Sequence, residues 1–480
     1  MARLQRLPLM ACAALLALAG CASRPLNPPI AQADPNGGYR FETRVGKDKE
    51  QENLIVQAFS GGGTRVAAFS CGVLEYLRRT EMVTAQGKTI RLLDVVDLIT
   101  GVSGGSFTAL ADGLYGDQLF ADYEQRFVKR AVQGELVSGV FNPAHWGTLG
   151  GVATGRSEVA AQLYDEIQFN NATFADLQRG NGPLIVASAT ALSTGVRLTF
   201  TQRQFDVICS DLEAVPVSRA AAASSAVPVV LSPVTIDNHG GQCGSETPAA
   251  LRPFLGVDDP PRPSARALRT LRAAESLRHS MQRPFLHLVD GGVSDNVGMH
   301  GVLDTLEISE ALREAGLPSP LDGKRRVIVF IVNSVSSPPT DRDLSGRPPG
   351  SVQLLLKATG TPIDAFSFEP VELLRDTAAR WNSMGKVRNS AAMAVNKDPA
   401  VAAALRAPDA EIFAVDVSFA ALNDPAEREY LNQQPTTFVL SDEAVDRLRA
   451  AAGKIIAEAP EFQRLLKDLG ATVVAASATP

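Results

Sequence analysis

The sequence predicts an α/β fold whose central sheet is mostly parallel, with helices on both sides. Three observations carry this. Apolar, β-branched runs recur along the chain as "NLIVQAFS", "DVVDLIT", "PLIVASATAL", "RLTFTQ", "FLHLVD" and "RRVIVFIVNSV". Helical patterns lie between several of them, as in "HGVLDTLEISEALREAG". Two of the runs end in glycine-rich turns that lead straight into a helical pattern, which is how a parallel strand hands over to a crossover helix.

At the N-terminus, "MARLQRLPLMACAALLALAGCASRP" has two arginines and then an apolar stretch from Leu7 to Ala19. Its charge and length are those of a secretory signal, and it is too short to span a bilayer. Leu18-Ala19-Gly20-Cys21 resembles the lipobox of bacterial lipoproteins. That resemblance implies cleavage before Cys21, a diacylglycerol on its thiol and an acyl chain on the new amine. Ala22 in second place implies, by the same likeness, the outer membrane of a Gram-negative envelope. Residues 21–50 read as a lipidated tether, interrupted by Pro25, Pro28, Pro29 and Pro35.

Order is expected to begin at "NLIVQAFS", which leads into "GGGTRVAAFSCGVLEYLRR". Val66, Phe69, Val73, Leu74 and Leu77 fall on one helical face, and Arg78 and Arg79 sit near the C-terminal end, where they suit the dipole. Gly61, Gly62 and Gly63 at a helix N-terminus leave N–H groups free to meet an anion. A phosphate cradle is one reading, but the P-loop lysine and the Rossmann glycine spacing are missing. An oxyanion hole is the other, with Arg65 adding a nearby cation.

The next strand ends in "ITGVSGGSFTAL", a G-x-S-x-G motif with Ser103 at its centre. Strand, sharp turn and helix form the setting of a nucleophile elbow, in which Gly101 and Gly105 permit the turn and close helix packing. Further on, "FLHLVDGGVSDNVG" places Asp290 at a strand end, where it could cap a helix, orient a histidine, bind metal or act as a base. After "SSPPTDRDLSGRPPGS", a loop, the chain is mainly helical with one strand-like run, "AEIFAVDVSF". The expected domains are a signal peptide (1–20), the tether (21–50), a catalytic unit (51–340) and a helical extension packed on the same unit (341–480).

Composition narrows the function classes. The formal net charge is −6, and loss of Arg3 and Arg6 with the signal would take it to about −8. No basic patch stands out, so nucleic acid is not an expected partner. With Cys12 cleaved and Cys21 lipidated, Cys71, Cys209 and Cys243 remain. Cys71 falls on a helix face, which leaves Cys209–Cys243 as the better disulfide pair in an oxidising compartment. The "NHGGQCG" stretch around His239 and Cys243 offers too few ligands for zinc. The five histidines are His145, His239, His279, His287 and His300. Only His300 follows Asp290, so a serine–acid–histidine triad would be cramped.

Taken together, "SGGGTRVAAFSCGVL", "ITGVSGGSFTAL", "SRAAAASSAVPVV" and "VDGGVSDNVG" resemble the patatin-like phospholipase family over roughly residues 50–340. With the lipobox, the chain looks like a bacterial patatin-like lipoprotein. The resemblance implies a three-layer α/β/α fold. It also implies a lipid acyl hydrolase of phospholipase A type that uses a Ser103–Asp290 dyad. Gly61, Gly62 and Gly63 would act as oxyanion donors, Arg65 would position that loop or stabilise charge, and neither metal nor cofactor is needed. Ser60 stands where many members have aspartate, and Val66 where glycine is frequent; neither change removes an N–H donor. An acyltransferase or thioesterase on the same dyad is an alternative, as is a non-catalytic envelope lipoprotein that keeps the fold.

Overall fold

A computed structural model describes residues 27–44, 52–84, 87–141, 155–255, 265–336, 367–395 and 410–475, with a few single positions besides. The signal segment, Cys12, Cys21, His145 and most of the proline-rich loop near residue 340 lie outside the described residues.

Eleven strands, β1–β11, are found among the described residues. β2 (Thr80–Val83), β3 (Thr89–Arg91) and β11 (Thr472–Val473) make a small separate sheet. The main sheet has β1 (Asn53–Phe59) at its centre. β4 (Leu98–Val102) and β5 (Leu184–Ala191) lie to one side, and β9 (Arg326–Asn333) and β10 (Glu411–Ser418) to the other. These five are parallel. Beyond β5 the direction reverses. β8 (Phe285–Val289) and the hairpin strand β6 (Val196–Thr199) run antiparallel to β5, and β7 (Val234–Asp237) antiparallel to β8.

Every residue of β1 is buried, as expected for a strand covered on both faces. Leu54, Val56 and Ala58 face one apolar layer, shared with helix α3 (His300–Glu314) and helix α4 (Glu369–Arg388). Ile55 and Phe59 face the other, with helix α1 (Thr64–Arg78), helix α2 (Gly104–Tyr115) and helix α5 (Asp442–Glu458). The result is three layers, α/β/α. α5 is fixed on α1 partly by Arg449, whose guanidinium pairs with Glu75 at 2.6 Å.

The structure corrects two expectations. The run "DVVDLIT" opens inside a 3₁₀ turn over Leu92–Val95, and the strand starts only at Leu98. Between them Asp97 is spent on the neighbouring strand, its carboxylate accepting the Ile55 N–H at 2.9 Å. The tether is also shorter than read, because residues 27–44 are folded onto the sheet. Tyr39 is fully buried, with its hydroxyl accepting the Ile185 N–H at 2.7 Å. Arg40 is buried against Asp206 at 2.8 Å. The prolines break regular structure there but do not prevent packing. The strand-like run "AEIFAVDVSF" is a strand as expected, β10, and it joins the main sheet beside β9. Cys209 and Cys243 are disulfide-bonded with their Cα atoms 5.5 Å apart, whereas Cys71 is a buried free thiol in α1. No helix among the described residues is long and apolar enough to cross a membrane.

Candidate active site

The nucleophile candidate sits where β4 turns into α2. Ser103 takes φ 49° and ψ −122°, a backbone state that costs a non-glycine residue about 1–3 kcal/mol. The surroundings hold it there. Its N–H donates to Ser224 Oγ at 2.9 Å, and its carbonyl accepts the Ser106 hydroxyl at 2.6 Å. Gly105 is required for close approach, since a Cβ there would lie 2.5 Å from the Ser60 carbonyl. Gly101 likewise faces the backbone of Ser106.

Asp290 arrives from the end of β8. Its N–H donates to the Ala226 carbonyl at 2.9 Å, and its own carbonyl accepts the Thr190 hydroxyl at 2.8 Å. The side chain is buried. One carboxylate oxygen accepts the Ser103 hydroxyl at 2.9 Å, and the other accepts the Gly292 N–H at 2.8 Å. Burial pushes the carboxyl up from 3.8 to about 6, against the opposing pull of these two hydrogen bonds. A buried carboxylate shifted in this way is a better base than a free aspartate and still ionises at neutral pH. No described histidine is hydrogen-bonded to either residue; His287 meets Thr235 and His239 meets the Asn27 carbonyl. Nor do described His, Cys, Asp and Glu side chains form a group of three or more placed to hold a metal ion.

The glycine loop between β1 and α1 lies against Ser103. A Cβ at Gly61 would be 3.6 Å from the Ser103 Cβ. The expectation for Gly61 itself needs correction: its N–H already donates to the Asn296 carbonyl at 2.8 Å and is not available to an oxyanion. Among the described residues the Gly62, Gly63 and Gly104 N–H groups meet no protein acceptor. Gly62 and Gly63 have φ of 146° and 60°. Gly104 opens α2 directly after the nucleophile and touches Gly63, whose carbonyl oxygen would lie 2.1 Å from a Cβ at 104. Arg65 is buried and braces the loop. Its Nη1 donates to Ser336 Oγ at 2.9 Å and to the Gln434 carbonyl at 2.7 Å.

Sequence reasoning missed four contributors. Ser224 holds the nucleophile's backbone, and Asn296 holds Gly61. Gly104 lies in the G-x-S-x-G motif, at one of its unspecified positions. The fourth is the segment around Thr437, whose carbonyl accepts the Thr64 N–H at 2.8 Å and which bridges Gly63 in parallel. Gln133 takes hydrogen bonds from Thr437 Oγ1 and from the Phe438 N–H, and Phe438 packs on Phe107. Ser224, Gly104 and Asn296 all stand within quoted motifs, but nothing local marks their partners; the Thr437 contact spans several hundred residues and leaves no local signal.

Gly104→Ala tests this geometry. The added methyl drives the Gly63 carbonyl aside, and ester turnover should fall by roughly 10²–10³-fold, the usual cost of disturbing an oxyanion donor. Unchanged turnover in a folded variant would show that the loop does not assist.

A family model described as patatin-like phospholipase matches residues 58–303, a span that contains the glycine loop, Ser103 and Asp290. A search of curated proteins returns no match. Among solved structures the chain is similar to human GIVD cytosolic phospholipase A2, at 13% identity and TM-score 0.42, over 89% of this chain and 61% of that one. The same enzyme in complex with methyl γ-linolenyl fluorophosphonate inhibitor and terbium chloride gives 13% identity and TM-score 0.41, over the same shares. The present chain thus spans about three-fifths of that enzyme's length. On the family match, the chain belongs to the patatin-like phospholipase family of lipid acyl hydrolases.

Proposed function

We propose that the protein is a membrane-anchored serine lipid acyl hydrolase that cleaves fatty acyl esters of phospholipid or a related lipid through an acyl-enzyme. The observation that carries the reading is the 2.9 Å hydrogen bond from the Ser103 hydroxyl to the buried Asp290 carboxylate. Asp290 accepts the Ser103 proton as the oxygen attacks the ester carbonyl. Negative charge that develops on the carbonyl oxygen is met by the N–H groups of Gly62, Gly63 and Gly104. Collapse of the tetrahedral adduct expels the alcohol, which takes the proton from Asp290, and Ser103 keeps the acyl group. Asp290 then deprotonates a water, the water attacks the acyl carbonyl, and the fatty acid leaves as the proton returns to Ser103.

Anchoring is proposed through Cys21, in a bacterial envelope and at the outer membrane. Cys21→Ser should move the protein from the membrane fraction to the soluble fraction; retention of the variant in membranes would remove the lipid anchor. Incubating purified protein with mixed envelope lipids and profiling the products tests activity and substrate together. Release of free fatty acid with matching lysolipid is the expected result. Acyl groups transferred to an added alcohol would favour the acyltransferase alternative.

A further inference from the structure

The dyad lies at the level of Ser188 in the sheet. Ser188 is opposite Val102 across β4–β5, and a Cβ at Gly291 would lie 2.4 Å from the Ser188 carbonyl. β8 descends to this level from beyond the carboxyl ends of the parallel strands, pairing Val289 with Thr190 and Leu288 with Ala191. Its first residue, Phe285, five residues before Asp290, therefore stands about 17 Å past the dyad on the catalytic side, at ~3.3 Å per residue. Asp237 pairs with Phe285, and Asn27 grips Asp237 from both sides. Asn27 Oδ1 accepts the Asp237 N–H at 2.7 Å, and Asn27 Nδ2 donates to its carbonyl at 2.9 Å.

The strap from Asn27 then runs down the sheet. Tyr39 meets Ile185, and Arg44 donates to the Gly182 carbonyl at 2.6 Å beside the start of β5. The chain thus enters the folded unit at the catalytic end and travels away from it. Only six residues lead from Cys21 to Asn27, a reach of about 20 Å at full extension. Exposed apolar side chains collect at the same end. Met281 is 95% and Phe285 50% exposed, and Leu192, whose N–H donates to the His287 carbonyl, is exposed beside them. Val229 and Val230 follow the segment that holds Asp290, and Val293 follows Asp290 itself; all three are exposed.

We infer that the carboxyl end of the sheet is a bilayer-docking face, drawn against the membrane by the short strap and seated on Met281, Phe285 and Leu192. The occupant is the lipid surface that carries the Cys21 anchor. The inference rests on the proposed anchored hydrolase and adds an orientation: the dyad opens toward the membrane that holds the enzyme.

The test uses the full lipidated protein in vesicles of phosphatidylethanolamine and phosphatidylglycerol. In Phe285→Trp, the introduced indole should be quenched by brominated acyl chains at a depth just below the headgroups. Met281→Glu combined with Phe285→Glu should lower vesicle hydrolysis at least about tenfold, since each side chain forfeits its burial in the interface. Hydrolysis of a dispersed short-chain ester should stay at the wild-type rate. An unquenched indole, or an undiminished vesicle rate in the double variant, overturns the docking face. A wild-type protein that ignores both ester and fluorophosphonate yet shows quenching would instead overturn the catalytic reading and leave the face standing.

Discussion

Ser103→Ala should abolish both labelling by a fluorophosphonate probe and ester hydrolysis, with a loss in kcat on the order of 10⁴–10⁶-fold. No neighbouring hydroxyl can substitute. Ser106 lies in the same turn and Ser224 reaches it from the end of another helix, but the Ser106 hydroxyl donates to the Ser103 carbonyl and Ser224 Oγ accepts the Ser103 N–H. The variant should fold, because the strained turn is held by backbone contacts that alanine keeps. Labelling that persists in the variant would assign the nucleophile elsewhere.

Asp290→Asn should cost about 10³–10⁴-fold in kcat, at the upper end for a general base, since amide nitrogen and oxygen cannot take the serine proton. The pH profile of the wild type carries the same information. The carboxyl must be ionised to act, so kcat/KM should fall tenfold per pH unit below about 6 and level off above it. Stability moves the opposite way. A carboxyl that titrates at 3.8 when unfolded and at about 6 when folded binds more protons in the native state across that window. The native state therefore loses stability as pH rises from about 4 to about 6, by on the order of 2–3 kcal/mol. Asp290→Asn removes this penalty, so its Tm should exceed that of the wild type at pH 8 and match it near pH 4. Thermal melts at the two pH values decide; equal Tm at both would mean the carboxyl is not destabilised by burial.

The parts of the site that could be read in the sequence are those written in short stretches. Gly61 to Gly63 before α1, Ser103 between glycines and Asp290 at a strand end each combine a strand signal with a turn signal within a dozen residues. The folded structure brings these three together. What stayed hidden depends on distant partners. Gly61 was read as a donor because an N–H in a glycine loop looks free until Asn296 is seen to cover it. The packing of residues 27–44 was hidden because Tyr39 and Arg40 find their partners, Ile185 and Asp206, well over a hundred residues away. The antiparallel edge was missed for another reason. β7 has only four residues, "VTID", too few to show a period, and a run such as "FLHLVD" shows that a strand exists without showing its direction.

The contact between Thr437 and the glycine loop reaches from near one end of the folded chain to near the other. The segment that backs the glycines comes last in chain order, after Ser103 and Asp290. A chain cut before Thr437 would keep both dyad residues and lose the backing of the loop that faces them.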